Sequence, residues 1–485
     1  MIYAIVPILV LALCLYLGKR LATLVVIIAY LNVEGFLKLL SNYNRVVHVG
    51  MDIVVLSLAI AWSASAVAQR KASLPALPWV RLILLYAFWI VLQVASPMSP
   101  GIIPSVAAFK LYLTMIPLYF FAATIVRTRE DVVRLLSALT AIALLPYGMA
   151  LVQYALGPAS VVDLSPRFAQ NLRGFHEWRP FGTSAVPGGT SVLAFLVTPL
   201  AVALFVASER GARRRLVASV AIGLAAAVFF VSGVRQIFLG CVLALLTMVA
   251  VIGAAQRRRG VVALALVLVL GGGAWVLVQD VLRPMATQAL LSDPNAPDIW
   301  RETSVTERLG TLTRTNVLLT ARAGGLKAIY TRIVHYPLGA GLGRIGPGAA
   351  ALEVALGRDP ETANIARELG FTESFFAVVL QELGIPGALM VTILLFGLPV
   401  TAVRLARSAH DPVVAAGAAA IAGIFVGVLV MSWGSQPLTS NPITAYYWLL
   451  AGVLAAMGRI ERETEGTAEA RAGHPSGDAA RPLLA

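Results

Sequence analysis

A chain of 485 residues with 59% hydrophobic and 13% charged content carries roughly half the charge of a soluble domain, for which about 25% is usual. Such a composition cannot clothe a water-soluble surface, but it suits helices that face lipid. The net charge of +14 does not indicate nucleic acid, because the arginines fall in short clusters between apolar runs, the pattern of cytoplasmic loops.

Each apolar run must satisfy its own backbone hydrogen bonds as a helix. About thirteen are predicted, near 2–18, 21–35, 46–68, 79–96, 105–126, 133–156, 187–208, 215–233, 236–254, 261–278, 373–402, 412–433 and 442–458. Met1–Gly18 lacks a basic leading region and a small-residue cleavage site, so it reads as a retained first span. The second run is interrupted by Glu34 and Lys38. Val261–Val278 is of the length needed to cross a hydrocarbon layer about 30 Å thick. Cys14 and Cys241 lie in distant apolar runs and read as small hydrophobes.

The basic clusters Lys19/Arg20, Arg70/Lys71, Arg127/Arg129, Arg210 with Arg213–Arg215, Arg257–Arg259, Arg404/Arg407 and Arg459/Arg462 alternate along the chain, and the positive-inside rule puts them in the cytoplasm. The expected fold is therefore all-α: a polytopic bundle of 12–13 transmembrane helices with one large, mostly helical periplasmic loop. Residues 1–278 form the first ten spans, with a medium loop at 157–186 and a short one near Pro97–Pro104. Residues 279–371 form the large loop, 372–459 the last spans, and 460–485 a polar cytoplasmic tail whose composition predicts disorder. The large loop holds ten Lys/Arg against nine Asp/Glu, so an anion site there depends on local placement. Helical spacing is present over Ala321–His335 and Ala349–Leu369.

No internal repeat, Gly-rich phosphate loop or G-x-S-x-G is present, and five histidines make a multi-histidine metal site a poor expectation. No cofactor is predicted. With every cytoplasmic segment short, chemistry is expected on the far side of the membrane with an already activated substrate.

Five residues carry the functional reading. Arg235, in VSGVRQIFLG, sits in a tight turn between two apolar runs; arginine near the membrane is costly, and Ser232, Gly233 and Gln236 make its surroundings polar rather than those of a snorkelling side chain. Arg179 opens RPFGTSAVPGGTSVLAFL, where Gly182, Pro187, Gly188 and Gly189 precede a helix. An exposed set of backbone N–H groups for an anion and an ordinary turn with an interfacial anchor are equal readings of it. Arg322 opens the loop helix; Lys327 and Arg332 after it are expected on a solvated face, and His335 at a helix end. Glu373 precedes an apolar helix, where the helix dipole alone would favour a carboxylate. Glu382, deeper in that helix, either pairs with a buried arginine or caps an internal turn ahead of Gly384 and Pro386.

Taken in order, these segments resemble the O-antigen polymerase and O-antigen ligase superfamily of bacterial envelope proteins. RPFGTSAVPGGTSVLAFL resembles its R-x-x-G-T-x-x-x-P segment, and SGVRQIFLG its S-G-S-R-G turn. Arg322 through HYPLGAGLG resembles the arginine-to-glycine stretch of its large loop, and TESFFAVVLQELGIPG its post-loop helix. The likeness covers roughly residues 179–390; the first six runs carry no such motif. It implies a donor glycan linked to a polyprenyl pyrophosphate, held by Arg235, Arg322, Arg179 and Gln236, and a glycan acceptor. It further implies metal-independent transfer at the periplasmic face of the inner membrane, with membrane lipid and a chain-length regulator as partners. Where the superfamily's ligases carry His this chain has Glu373, and where it has Trp this chain has Tyr330. The first change favours a polymerase of lipid-linked repeat units over a ligase that moves finished glycan to lipid A core or another acceptor. A transporter of lipid-linked glycan would instead place polar residues mid-membrane in broken helices, and a membrane scaffold would need no polar turn at Arg235.

Overall fold

In the computed structural model, the described residues are 10, 13–15, 17–68, 77–172, 178–207, 211–252, 254–292, 330–345 and 374–472. The expected span at 2–18 falls almost wholly outside them. The described residues form helices and connecting turns with no strand, and nine of the helices are long and apolar enough to cross a membrane. The chain is an all-α, multi-pass membrane protein.

In chain order the helices are α1 Arg20–Leu40, α2 Arg45–Ala68, α3 Val80–Val94, α4 Ile102–Leu113, α5 Pro117–Ile125, α6 Arg129–Leu156, α7 Ala159–Val162, α8 Pro166–Leu172, α9 Thr190–Ala207, α10 Ala212–Ser232, α11 Arg235–Val251 and α12 Ala254–Val276. A π turn, Leu277–Leu282, joins α12 to α13, Arg283–Ser292; α14 is Phe375–Ser408, α15 Pro412–Met431 and α16 Ile443–Ala472. A short helix also covers 330–335.

Two antiparallel partners dominate the centre. α9 and α15 are almost entirely buried, and small residues of α15 let it pack backbone to backbone on α11, as membrane helices commonly do. At Gly423 a Cβ would overlap the Ala244 carbonyl of α11, and at Gly427 it would come within 2.8 Å of the Gly240 carbonyl. One end of the bundle carries the arginine clusters. There Arg129 pairs with Asp411 at 2.8 Å, and Arg459 donates to the Ala123 and Val126 carbonyls at 2.9 and 2.7 Å. The opposite end, here the loop face, gathers residues 41–44, 95–101, 157–172, 178–190, 232–234, 336–345 and 432–442.

Several limits depart from expectation. Glu34 and Lys38 do not interrupt the second span: they pair with one another at 3.0 Å, one helical turn apart, and α1 runs on to Leu40. The run at 105–126 is one traverse broken at Thr114–Ile116 ahead of Pro117, as a proline lacking its N–H dictates. Past position 279, where the large loop was expected to start, helix continues through α13 to Ser292. The tail expected to be disordered from 460 is helical to Ala472; its Ala-, Glu- and Arg-rich sequence is strongly helix-forming, and Arg459 and Glu463 lie one turn apart. Residues 473–485 are outside the described set.

Charge also enters the spans, at Glu382 as expected and at two residues that sequence spacing did not anticipate. Asp52 and Lys110, about 10 and 12 Å along their helices from the loop-face ends, form an ion pair of 2.6 Å between α2 and α4. Glu382 is 1% exposed inside α14.

Candidate functional site at the loop face

The segment 178–190 owes its shape to glycines and to the polar groups that hold them. Gly182 and Gly188 adopt φ of 55° and 75°, left-handed values that favour glycine. Gln153 of α6 clamps Gly182 from both sides, donating to its carbonyl at 3.1 Å and accepting its N–H at 2.6 Å. Thr190 Oγ1 donates to the Phe181 carbonyl at 2.8 Å, and the Gly188 N–H to the Pro180 carbonyl at 2.8 Å. The same turn is spliced into α1. Thr183 Oγ1 donates to the Asn32 carbonyl at 2.6 Å, and the Phe36 N–H donates to the Thr183 carbonyl at 2.9 Å. These α1 groups are four residues apart, the spacing of a helical hydrogen bond.

Arg179 enters this turn from one side and the Ser232–Val234 turn meets it from the other. The position a Cβ would take on Gly188 is 2.9 Å from Val234 Cγ2, 3.2 Å from the Ser232 carbonyl and 3.5 Å from Arg179 Cδ. Arg235 follows directly as the first residue of α11, whose N-terminus has no side-chain cap and no acidic residue in its first turn. Arg235 is half-buried, and it makes no ion pair or side-chain hydrogen bond among the described residues. Ser232 is fully buried, and its hydroxyl has no hydrogen-bond partner among those residues. A guanidinium over an uncapped helix N-terminus makes a site for an anion, since the exposed N–H groups and helix dipole add to the fixed charge.

Gln236, expected among the substrate-binding residues, also braces the fold. Its Nε2 donates to the Met431 carbonyl at 2.8 Å, tying the head of α11 to the end of α15. The turn after α15 then reaches the head of α14: the Phe375 N–H donates to the Ser432 and Ser435 carbonyls at 3.0 and 3.1 Å. Ser374, the residue that follows Glu373, caps α14 without a side-chain hydrogen bond. Contacts therefore run unbroken from Arg179 through Ser232–Arg235 and Met431–Ser435 to Ser374. Glu373 and Arg322, two of the three expected catalytic residues, lie outside the described residues, as does Lys327.

Arg332 corrects its expected place on a solvated face. It is 5% exposed, donates from Nε to Gln381 Oε1 at 2.6 Å, and burial lowers its pKa from the ordinary arginine value. The polar groups of α14 impose this, because Gln381, at 1% exposed, needs a partner. His335 closes the 330–335 helix, exposed, with Nδ1 at 2.8 Å from the Thr331 carbonyl. Tyr330 is 70% exposed.

Among the described residues Glu382 pairs with no arginine. It accepts from Tyr112 Oη of α4 at 2.8 Å and from the backbone N–H of Gly343 at 3.0 Å and Ile345 at 3.4 Å. It thus caps the chain leaving the 330–335 helix rather than a turn of its own. That chain docks on a break in α14, where Gly384 has φ 67°. The Ala340 N–H donates to the Gln381 carbonyl at 2.6 Å, and the Ile385 N–H to the Pro337 carbonyl at 2.8 Å. Gln93 Nε2 donates to the Leu338 carbonyl at 2.8 Å and Trp89 Nε1 to the Leu383 carbonyl at 2.7 Å. Here Gly339, Gly341 and Gly343 all have positive φ, and a Cβ on Gly339 would sit 2.7 Å from the Glu382 carbonyl.

Behind the 183–190 turn lies a cavity of about 580 Å³, bounded by α1, α2, α4 and residues 439–442, into which both membrane ion pairs face. Sequence reasoning missed it, because its charged residues come from spans without motifs. On the opposite end of the bundle His410, Glu461 and Glu465 bring one ligand atom each within 4.8 Å. The guanidinium-bearing Arg81, Arg404 and Arg462 line the same cleft as the two glutamates, and their charge opposes a cation there.

Compared with known proteins, the chain matches no family model and no curated protein.

Proposed function

We propose that this protein is a bacterial inner-membrane polymerase that joins polysaccharide repeat units carried on a polyprenyl pyrophosphate, working at the loop face turned to the periplasm. The observation that carries the reading is the convergence of Arg179, Arg235 and the head of α14, three segments far apart in sequence, at that one face. Motif likeness supplies the reaction class. In the proposed step, an acceptor hydroxyl oxygen attacks the anomeric carbon of the donor. The bond from that carbon to the pyrophosphate oxygen breaks, its electron pair leaving with the pyrophosphate, and the hydroxyl proton passes to the Glu373 carboxylate. Arg235, Arg179 and Arg322 hold the pyrophosphate and offset the charge that builds on it, which guanidinium groups do bidentately without a metal. The protein would then meet a glycan donor, a glycan acceptor, lipid and a chain-length regulator; a ligase using the same donor site with a different acceptor is the nearest variant. In cells whose own copy is deleted, Arg235→Ala and Arg322→Ala are expected to abolish long polysaccharide while the proteins remain in the membrane. Full-length polymer in either strain would sink the proposal.

A second reading has an observation of its own. Asp52, Lys110 and Glu382 sit inside spans, and the traverses carrying Lys110 and Glu382 are broken at Thr114–Ile116 and at Gly384. Broken helices with buried charge are what a carrier of lipid-linked glycan uses. Reconstituted vesicles separate the two: transbilayer movement of lipid-linked glycan without lengthening supports the carrier, and lengthening on one side supports the polymerase.

A further inference from the structure

The cavity behind the 183–190 turn is a built site whose chemistry points to one kind of occupant. Its charges cancel locally: Lys38 faces Glu34 at 3.0 Å and Lys110 faces Asp52 at 2.6 Å. A phosphate would find each ammonium already neutralised. Hydroxyl and amide groups from Asn32, Thr114, Thr183, Ser184, Thr190 and Ser440 line the same space. Asn32 and Thr114 are 4% and 1% exposed, and Asn32 Oδ1 and Thr114 Oγ1 have no hydrogen-bond partner among the described residues. Buried polar atoms without partners are costly, and these two leave unused acceptor capacity in the cavity wall. Both signs of charge together with neutral donors and acceptors suit a polyhydroxylated group.

The rest of the lining says how that group arrives. Ile53 of α2 and Ile103 and Val106 of α4 border the cavity yet are 59%, 64% and 52% exposed. In a membrane protein large apolar side chains so exposed face lipid, so the cleft between α2 and α4 opens sideways into the bilayer. From Ile103 to Thr114 the cleft runs about 16 Å along the helix axis. The cavity volume lies within the range of about 300–1,000 Å³ for small-molecule sites.

We infer that this cavity binds the uncharged sugar end of a lipid-anchored glycan, admitted laterally between α2 and α4. Resting on the polymerase reading, it would be the acceptor subsite. The wall it shares with the donor side is one turn thick: Gly189 and Thr190 face the cavity, while Gly188 touches the Ser232–Val234 turn beside Arg179.

The test uses the purified full-length protein in nanodiscs with two photoreactive probes of equal chain length, an alkyl glucoside and an alkyl phosphate. After illumination, labelled peptides are mapped by mass spectrometry. The glucoside is expected to label α2 and α4 around Ile53 and Val106 and to be displaced by excess untagged alkyl glucoside. The phosphate is expected to label them at least tenfold less. Val106→Trp, at an exposed position, and Ala107→Trp, at a half-buried one, should each cut glucoside labelling at least tenfold in monodisperse protein. Equal labelling by the phosphate, or labelling that survives both tryptophans, overturns the inference. Polysaccharide output distinguishes the two failures. If Arg235→Ala protein still labels but its cells make full-length polymer, the polymerase reading falls and the sugar site stands. If Arg235→Ala cells make none while Val106→Trp and Ala107→Trp cells polymerise normally, the acceptor subsite falls alone.

Discussion

Gly35→Ala is the substitution whose sign depends most directly on how the 183–190 turn sits on α1. In a helix interior, exchanging Gly for Ala ordinarily stabilises by about 0.5–1 kcal/mol. At Gly35, however, the new Cβ would overlap the Ala185 backbone N and lie 2.7 Å from the Ser184 carbonyl carbon. Backbone cannot swing aside like a side chain, and overpacking of this kind costs about 1–3 kcal/mol. Pushing the turn away also stretches the two bonds that splice it into α1, from Thr183 Oγ1 to Asn32 and from Phe36 to Thr183, each of about 1 kcal/mol. The sum is a loss of about 2–4 kcal/mol. Gly148→Ala in α6 is the matched control, because nothing lies within 4 Å of its Cβ position and the helix gain of about 0.5–1 kcal/mol should survive. Thermal melts of both variants in identical nanodiscs should move in opposite directions from wild type. A Gly35→Ala melt that rises with that of Gly148→Ala would refute the seating of the turn against α1.

Other substitutions probe the buried polar groups. Glu382→Ala strands Tyr112 Oη and the Gly343 and Ile345 N–H groups at about 1–3 kcal/mol each; a sharp fall in membrane yield is expected, whereas Glu382→Gln, which keeps one acceptor oxygen, should lose less. For the Asp52–Lys110 pair, either Asp52→Ala or Lys110→Ala should cost up to about 3–5 kcal/mol by breaking a largely buried pair. The double variant should cost less than the two summed, and additive melting shifts would show that the pair is not coupled. Gln236→Ala removes a brace to Met431, worth about 1 kcal/mol; if bracing is its whole role, glycan output should drop less than tenfold. Arg235→Ala should drop it about 10²–10³-fold, and equal losses would return Gln236 to the substrate.

The all-α, multi-pass architecture was legible because apolar runs of membrane-spanning length admit few other structures. The convergence of Arg179 and Arg235 was only half legible. Glycine and proline spacing marked both turns, but nothing in it shows that Gly188 must sit against Val234. Arg332 was misjudged because helical spacing counts charge along one element and cannot see Gln381 on another. Asp52 and Lys110 were passed over for the same reason: each is a lone charge in an apolar run, and only packing of α2 on α4 makes them a pair. The stops at 279 and 460 were drawn where polarity rises. Helices continue past both because local propensity and side-chain pairing replace apolarity as the stabilising term.

The run Gly339–Gly343 reads in sequence as a place where the chain turns back, yet its glycines do something more specific. They let backbone meet backbone at the broken α14, where Gly384 supplies the matching left-handed position. The bonds from Ala340 to Gln381 and from Ile385 to Pro337 then join residues 336–345 of the large loop to α14. The first of these bonds lies between buried residues, Ala340 and Gln381, so opening it forfeits its strength without a solvent replacement. Glu382 reinforces the junction from α14, Gln93 and Trp89 from α3, and Tyr112 from α4. The junction and the head of α14 are thus parts of one helix, ten residues from Ser374 to Gly384. The junction therefore fixes where residues 336–345 meet α14, and the N-cap Ser374 is registered to the Arg235 turn through Met431 and Ser432.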